Sequence, residues 1–433
     1  MRHRGTSNVN CPSDLTEGGK ACVSDVGCRR KARAPAHRGV CVSVAVASPY
    51  QVLETMPWKR SLLERLGDLR AGTKRIGYVY EKAEPGTFRY RCYNMVQAIN
   101  ATSSESSAGY FFLYDLQSID NLVSHLDVLV LVRVRYDSHV DRLVRQARLK
   151  GIPVLYDLDD HIFDLEATPL LVSSLNQGLS RYGRIEKWVG VVGRIRESLE
   201  IVDGVITTTE FLQSELESAL DLPVEVIPNF LNDEQWEYSE KLRGEELQPD
   251  EPVIGYFSGS ASHNRDYQIA ADGLRAVLEH YPEATLRIAG YLDVPESLAD
   301  FTHRIQRLPF MDFLGLQRAI AEVTLNLAPI QHNVFAHSKS ELKYFEAAAV
   351  GVPTVASPSP VFSSVIEDTK NGYLADASQW GEVLLETVDN ATLRHGVAQE
   401  ALRRVEHEYV GRFMTSRIID ALTQLSANTN RRN

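Results

Sequence analysis

Cysteine is scarce: Cys11, Cys22, Cys28, Cys41 and Cys92 are the only five in 433 residues, and no Cys-x-x-Cys pair occurs. That number and spacing exclude a disulfide-built scaffold and a zinc ribbon. No apolar run approaches the ~18 residues that a bilayer-spanning helix needs. Positive charge is not in excess either, since 46 Lys and Arg face 57 Asp and Glu, for a net charge of −11. A nucleic-acid-binding protein held by bulk electrostatics is therefore not expected. A G-x-G-x-x-G fingerprint is missing, which makes a dinucleotide-dependent oxidoreductase remote. His125, His139, His161, His303, His395 and His407 show no metal-binding spacing.

What is present is an ordinary globular mix, 44% hydrophobic and 24% charged, long enough for two or three domains. Its charge is uneven. Residues 1–40 carry eight Lys and Arg against three Asp and Glu. Val40–Ala47 is apolar and follows the basic run RRKARAPAHR, but that leader is too long for a signal peptide. Residues 1–55 read as a disordered or mis-called extension, with Met56 as the start.

From Arg75 onward, strands and helices alternate. Strand signals cover Ile76–Tyr80, Val128–Val132, Pro153–Tyr156, Gly204–Thr208 and Val224–Ile227. Helical signals cover Arg91–Ile99, Ser138–Lys150, Tyr182–Ile201 and Glu210–Ala219. Continuous apolar strands between helices predict a parallel sheet covered on both faces. The charged stretch Asn232–Glu251 reads as an interdomain linker. The alternation then restarts with strands at Val253–Phe257, Thr285–Ala289, Arg304–Leu308, Thr324–Leu327 and Thr354–Ser357. Helices are expected at Tyr267–His280, Leu314–Glu322 and Glu341–Val350, and the tail from Thr392 to Leu425 is mostly helical. The expected fold class is α/β, with two doubly wound Rossmann-like domains facing each other across a cleft. Their bounds are 56–235 and 236–391, and a tail at 392–433 packs back on the first. Ligands of such folds bind at the carboxyl ends of the strands.

The segment Ser338–Pro353 holds most of the chemistry. At 100° per residue, Lys339, Lys343, Glu346 and Val350 form one helical stripe, beside an apolar stripe of Leu342, Phe345 and Ala349. A lysine at the first turn adds to the helix's positive end, which suits a phosphate. Glu346 could accept hydrogen bonds from sugar hydroxyls. Spacing alone favours a capping box from Ser338 and Glu341, and an ordinary i,i+3 pair of Lys343 with Glu346.

The run KSELKYFEAAAVGVPTVASPSP, followed by NGYLAD, resembles the donor-binding helix of group-1 (family 4-like) nucleotide-sugar glycosyltransferases. The resemblance extends to IGYFSGSASHNRD, RIAGYLD and VIPNF, and more loosely to FRYR and YDLDDHIFD, over roughly residues 75–390. It implies the two-Rossmann-domain GT-B fold and a second domain that binds a nucleotide-sugar donor. It further implies transfer to a hydroxyl acceptor with retention, with no cofactor beyond the nucleotide sugar. In the family two glutamates eight positions apart flank this helix, and the second contacts the donor ribose. Glu346 matches the second, whereas Ser338 stands where the first would be. The family's loop arginine is likewise replaced by Ser260, and Arg265 stands in for its lysine.

The resemblance assigns the donor to Gly259, Ser260, His263, Lys339, Glu341 and Glu346. Lys339 and Arg265 would stabilise the departing diphosphate. Asn333 and His337, just ahead of the helix, could meet the sugar or form a plain loop. Asp157, Asp159 and Asp160 end a strand. They suit a cleft wall that holds or deprotonates an acceptor hydroxyl, with Asp160 as the catalytic candidate, or capping of the next turn, or an Asp-x-Asp metal site. Arg89 and Arg91 open a helix and could hold an anionic acceptor or make surface salt bridges. Arg133 and Arg135 point to the same edge. The expected partners are a nucleotide sugar and a glycan or lipid-linked acceptor, with no nucleic acid and no metal. The enzyme is expected in the cytoplasm, peripheral at the inner membrane face when its acceptor is lipid-linked. The alternative is a catalytically degenerate nucleotide- or sugar-binding protein of the same fold.

Overall fold

Runs of adjacent apolar residues without polar alternation, such as VLVLV at 128–132, have two faces to bury, and they form the interior strands of parallel sheets. The computed structural model describes residues 56–118, 122–174, 181–258, 264–290 and 292–428. The expectation for residues 1–55 lies outside them. Twelve strands in the described residues make two six-stranded sheets, and every pairing within them is parallel.

The first sheet holds β1 (Lys74–Tyr80), β2 (Ser106–Phe112), β3 (Val128–Val132), β4 (Val154–Leu158), β5 (Gly204–Thr207) and β6 (Val224–Val226) in the order β2-β1-β3-β4-β5-β6. The second holds β7 (Val253–Phe257), β8 (Thr285–Ala289), β9 (Ile305–Leu308), β10 (Leu325–Ala328), β11 (Thr354–Ala356) and β12 (Tyr373–Leu374) in the order β12-β11-β10-β7-β8-β9. The winding direction reverses between β1 and β3 in the first sheet and between β7 and β10 in the second. Loops leaving the carboxyl ends of those strand pairs diverge and open a crevice, where doubly wound folds place their ligands.

Several elements differ from the sequence reading. β2 was not foreseen, because its first half, Ser-Ser-Ala-Gly, has little strand propensity. The expected linker 232–251 contains the helix Asp233–Arg243. Asn232 and Gln235 form its capping box, while Trp236 and Leu242 are buried beneath its charged face. The domain boundary expected at 235/236 falls inside this helix. The single helix expected over Tyr267–His280 is two, Asn264–Ile269 and Ala271–His280.

The tail forms the helices Ala391–Glu408 and Gly411–Asn428. Met414, Ile418, Leu422 and Leu425 of the last helix lie in the core beside Ile76, Val130 and Ile206 of the first sheet. Thr415 there donates to the Ala98 carbonyl at 2.8 Å. The chain thus crosses between the sheets twice, and the two crossings are paired. Leu231 N–H donates to the Tyr409 carbonyl at 2.9 Å, and Gly411 N–H to the Leu231 carbonyl at 2.8 Å.

One glycine sets the spacing at the end of the second sheet. Gly290 follows β8 at φ +100°, and a Cβ there would lie 2.0 Å from the Ser258 carbonyl oxygen. Gly290→Ala combines a disfavoured backbone with a backbone clash. It is expected to cost about 1–3 kcal/mol or more, read as a lower urea midpoint at unchanged slope.

Candidate active site

The carboxyl ends of both sheets face one cavity of about 580 Å³, within the size range of small-molecule sites. From the first sheet come the turn after β1 (Glu84–Thr87 and Tyr90), Arg133 after β3, Asp159 and Asp160 after β4, and Asn229 after β6. From the second come Phe257 at the end of β7 with Ser258 after it, Gly290 after β8, Pro309–Met311 after β9, and Pro329 and Ile330 after β10. Lys339, Ser340, Lys343 and Glu346 complete the wall.

Lys339 sits in the turn between two short helices, Val334–His337 and Leu342–Ala348. It lies three residues ahead of the second helix, not in its first turn as expected. Its ammonium is 4.0 Å from Asp266 and 5.2 Å from the Phe335 ring centroid, and it also acts on the Asp160 carboxylate. Asp266 is fixed in turn by the N–H and side-chain amide of Gln331, at 3.1 and 2.9 Å.

Helix Leu342–Ala348 ends where Gly351, at φ +75°, turns the chain and donates to the Ala348 carbonyl at 3.0 Å. It carries Lys343 and Glu346 into the cavity. The Glu346 carboxylate accepts a 2.5 Å hydrogen bond from the Tyr90 hydroxyl of the first domain. Burial pushes this carboxyl up to about 7, against the pull of Tyr90, Lys343 and Arg89. The Lys343 ammonium donates to the Phe257 carbonyl, and burial brings it down to about 8.

Across the cavity, Arg133 adopts a left-handed backbone at φ +50°. Its guanidinium lies 3.1 Å from both Asp159 and Asp160 and donates to Thr87 Oγ1 at 2.9 Å. The Thr87 hydroxyl donates to Asp159 at 2.9 Å. Burial raises the Asp160 carboxyl, and Arg133 opposes the rise.

Lys339, Glu346, Asp159 and Asp160 therefore meet at one site, while other expected contacts need correction. Arg91 and Asp157, expected at an acceptor, are wholly interior. They form a two-pronged ion pair at 2.8 and 2.8 Å, and Arg91 donates further to the Ile227 carbonyl at 2.7 Å and to Asn229 Oδ1 at 3.3 Å. Burial still lifts Asp157 to about 6. Arg89 is buried between the rings of Trp58 and Phe313, 5.1 and 5.2 Å from their centroids, and does not line the cavity.

Glu341 also turns away from the cavity and accepts from the Tyr409 hydroxyl at 2.9 Å, tying the start of helix Leu342–Ala348 to the tail. The capping box is not formed, because the Ser338 hydroxyl donates to the Val334 carbonyl. Arg265 is exposed and outside the cavity wall. Asn333 caps the helix Val334–His337, and His337 pairs with His332 against Phe211, so neither lines the cavity. Arg135 pairs with Glu81. Gly259, Ser260 and His263 lie outside the described residues.

Tyr90, Asp266 and the apolar wall of Phe310, Met311 and Phe313 were not foreseen as site residues. Tyr90 sits inside the FRYR run already singled out. The helical stripe 339-343-346 was the signal for Lys343.

Residues 251–390 match the family described as glycosyl transferases group 1. No curated protein matches the chain. Among solved structures, HepE from Anabaena in complex with UDP and glucose aligns with a TM-score of 0.56 at 13% identity, over 81% of this chain and 99% of its own. A sucrose-phosphate synthase from Thermosynechococcus elongatus aligns at 0.54 and 14% identity, over 81% and 99%. WaaG, a glycosyltransferase involved in lipopolysaccharide biosynthesis, aligns at 0.55 and 12%, again over 81% and 99%. At these identities the likeness establishes the fold. The fold is GT-B, and the second sheet lies within the segment that matches the group 1 glycosyl transferases.

The buried pair and the cavity carboxylates separate under mutation. Arg91→Met strands Asp157 in the interior and is expected to lower stability by about 3–5 kcal/mol in urea unfolding. Asp160→Asn, at the cavity wall, is expected to change stability by less than about 1 kcal/mol.

Proposed function

We propose that the enzyme moves a sugar from a nucleotide-sugar donor to a hydroxyl acceptor, with retention and without a metal, in the synthesis of a cell-surface glycan or polysaccharide. The observation that carries this reading is the convergence of Lys339, Glu346 and Asp160 on one cavity at the winding reversals of both sheets. HepE, with its UDP and glucose, shares the fold and supports a donor of that chemical class.

In this reading Lys339 meets the diphosphate, and its attraction grows as the leaving group gains charge. Glu346 holds ribose hydroxyls. The apolar residues Phe310, Met311 and Phe313 offer a dry wall to the base. Asp160, opposite Lys339, holds the acceptor hydroxyl. Arg133 already compensates both Asp159 and Asp160, so these carboxylates are poorly suited to a divalent cation. Retention rests on the family resemblance alone. The enzyme works in the cytoplasm, at the inner membrane face when the acceptor is lipid-linked. No helix among the described residues is long and apolar enough to cross a membrane.

A non-catalytic reading draws on Ser338, which brings no carboxylate where the family has its first glutamate. Incubation with a panel of nucleotide sugars separates the two readings. Slow donor hydrolysis, unchanged by EDTA, is expected. Binding without turnover of any donor would favour the binding protein, and activity lost to EDTA and restored by manganese would move Asp159 and Asp160 to metal ligation.

Two substitutions test the roles. Lys339→Ala is expected to act on kcat by about 2–4 kcal/mol. Glu346→Gln is expected to act on donor KM by about 1–3 kcal/mol in binding, with kcat less affected. Because the charged carboxylate is the better acceptor, donor affinity of the wild type should weaken as pH falls through about 7. Glu346→Gln should lose that acid limb.

A further inference from the structure

Lys343 belongs to no role assigned so far, and its position is unusual. It projects from helix Leu342–Ala348 to the carboxyl end of β7, where its nitrogen donates to the Phe257 carbonyl and lies 4.9 Å from the Tyr256 ring centroid. Phe257 and Ser258 are the root of the loop in which the resembled family carries an arginine for the donor diphosphate, and this chain has Ser260 there. Lys343 thus brings a cation from the helix to the base of that loop, and it lines the cavity.

We propose that Lys343 is a donor-diphosphate ligand that takes up a proton as the diphosphate enters, standing in for the absent loop arginine. This rests on the nucleotide-sugar reading above.

The physical basis is the imbalance around the amine. On its own helix it faces Glu346, and from the preceding turn Lys339, which disfavours its charge. From helix Asn264–Ile269 it faces Asp266, and from β7 the Tyr256 ring. The two carboxylates do not offset burial, so the amine is held at about 8 in the empty site. The bond to Phe257 needs only an N–H and survives in either protonation state. A diphosphate beside the nitrogen favours the ammonium, and the required proton comes from bulk solvent. Donor affinity then falls above pH 8, by up to about tenfold per unit, because the free site loses the proton that the complex needs.

Calorimetric titration at pH 8, in buffers of different ionisation enthalpy, counts the protons taken up. UDP-glucose, GDP-mannose and ADP-glucose serve as probes, since their diphosphate diesters do not titrate near pH 8. About half a proton is expected to enter with the wild-type complex. Lys343→Met should abolish the uptake and weaken binding about 10- to 100-fold. Lys343→Arg, charged at all these pH values, should bind without uptake and without the alkaline fall in affinity. Wild-type binding with no proton uptake, or uptake that persists in Lys343→Met, overturns the role of Lys343 and leaves the donor reading intact. Failure of all three probes to bind the wild type overturns the donor reading and this inference with it.

Discussion

A guanidinium with no access to water sets the geometry of the cleft. Removing Arg91 and Asp157 from water costs several kcal/mol per ion, and only a near-ideal pairing with further hydrogen bonds offsets that. The structure supplies both. Two parallel bonds join the pair, and the remaining N–H groups reach the Ile227 carbonyl and Asn229. The π-helical turn Arg89–Tyr93 is thereby bolted to the carboxyl ends of β4 and β6. Wound in this way, the turn points Tyr90 at Glu346 while Arg91 points inward. Asn229, held on one side by Arg91, donates on the other to Ser340 at 2.9 Å. One interior ion pair therefore sets the register between the floor of the first domain and the approach to helix Leu342–Ala348 of the second.

Charge in the cavity follows a second logic, in which burial weakens charges that pairing does not protect. Arg133 and the two aspartates protect one another. Across from them, Glu346 is lifted toward neutrality and Lys343 lowered toward it, on the same face of one short helix. A carboxyl at about 7 and an amine at about 8 leave that helix responsive to whatever charge enters. A fully solvated pair at the same i,i+3 spacing would keep its ordinary values and respond to nothing.

Much of this architecture could be read from the sequence, because interior parallel strands are continuous apolar runs; β3 and β7 fall where that pattern puts them. The edge strand β2 escaped, since small polar residues carry no such signal. The helix Asp233–Arg243 escaped because its burial rests on only two large apolar residues in a charged run. Site residues were legible where a helical stripe faced a crevice, as with Glu346, while Lys339 reaches the same cavity from the turn ahead of that helix. They were misread where charge alone was the guide. Arg89, Arg91 and Asp157 look like surface chemistry in one dimension, because sequence does not show that two of them are each other's partners or that two rings enclose the third.

The two departures from the resembled family are best understood together. Ser338 lacks the carboxylate expected before the helix, and Ser260 lacks the cation expected after β7. Ser338 then needs no polar neighbours beyond the Val334 carbonyl, and the turn it occupies is free to present Lys339 between Asp266 and Asp160. Lys339 in the approach to the helix and Lys343 in its first turn both line the cavity. The helix is backed by β10 and β11, where Ala348 and Ala349 share a core cluster with Ala328 and Ala356, while Ala347 packs in the cluster of Val253 and Phe257 of β7, so the position of Lys343 and Glu346 follows from three small residues that let the helix lie close on the sheet.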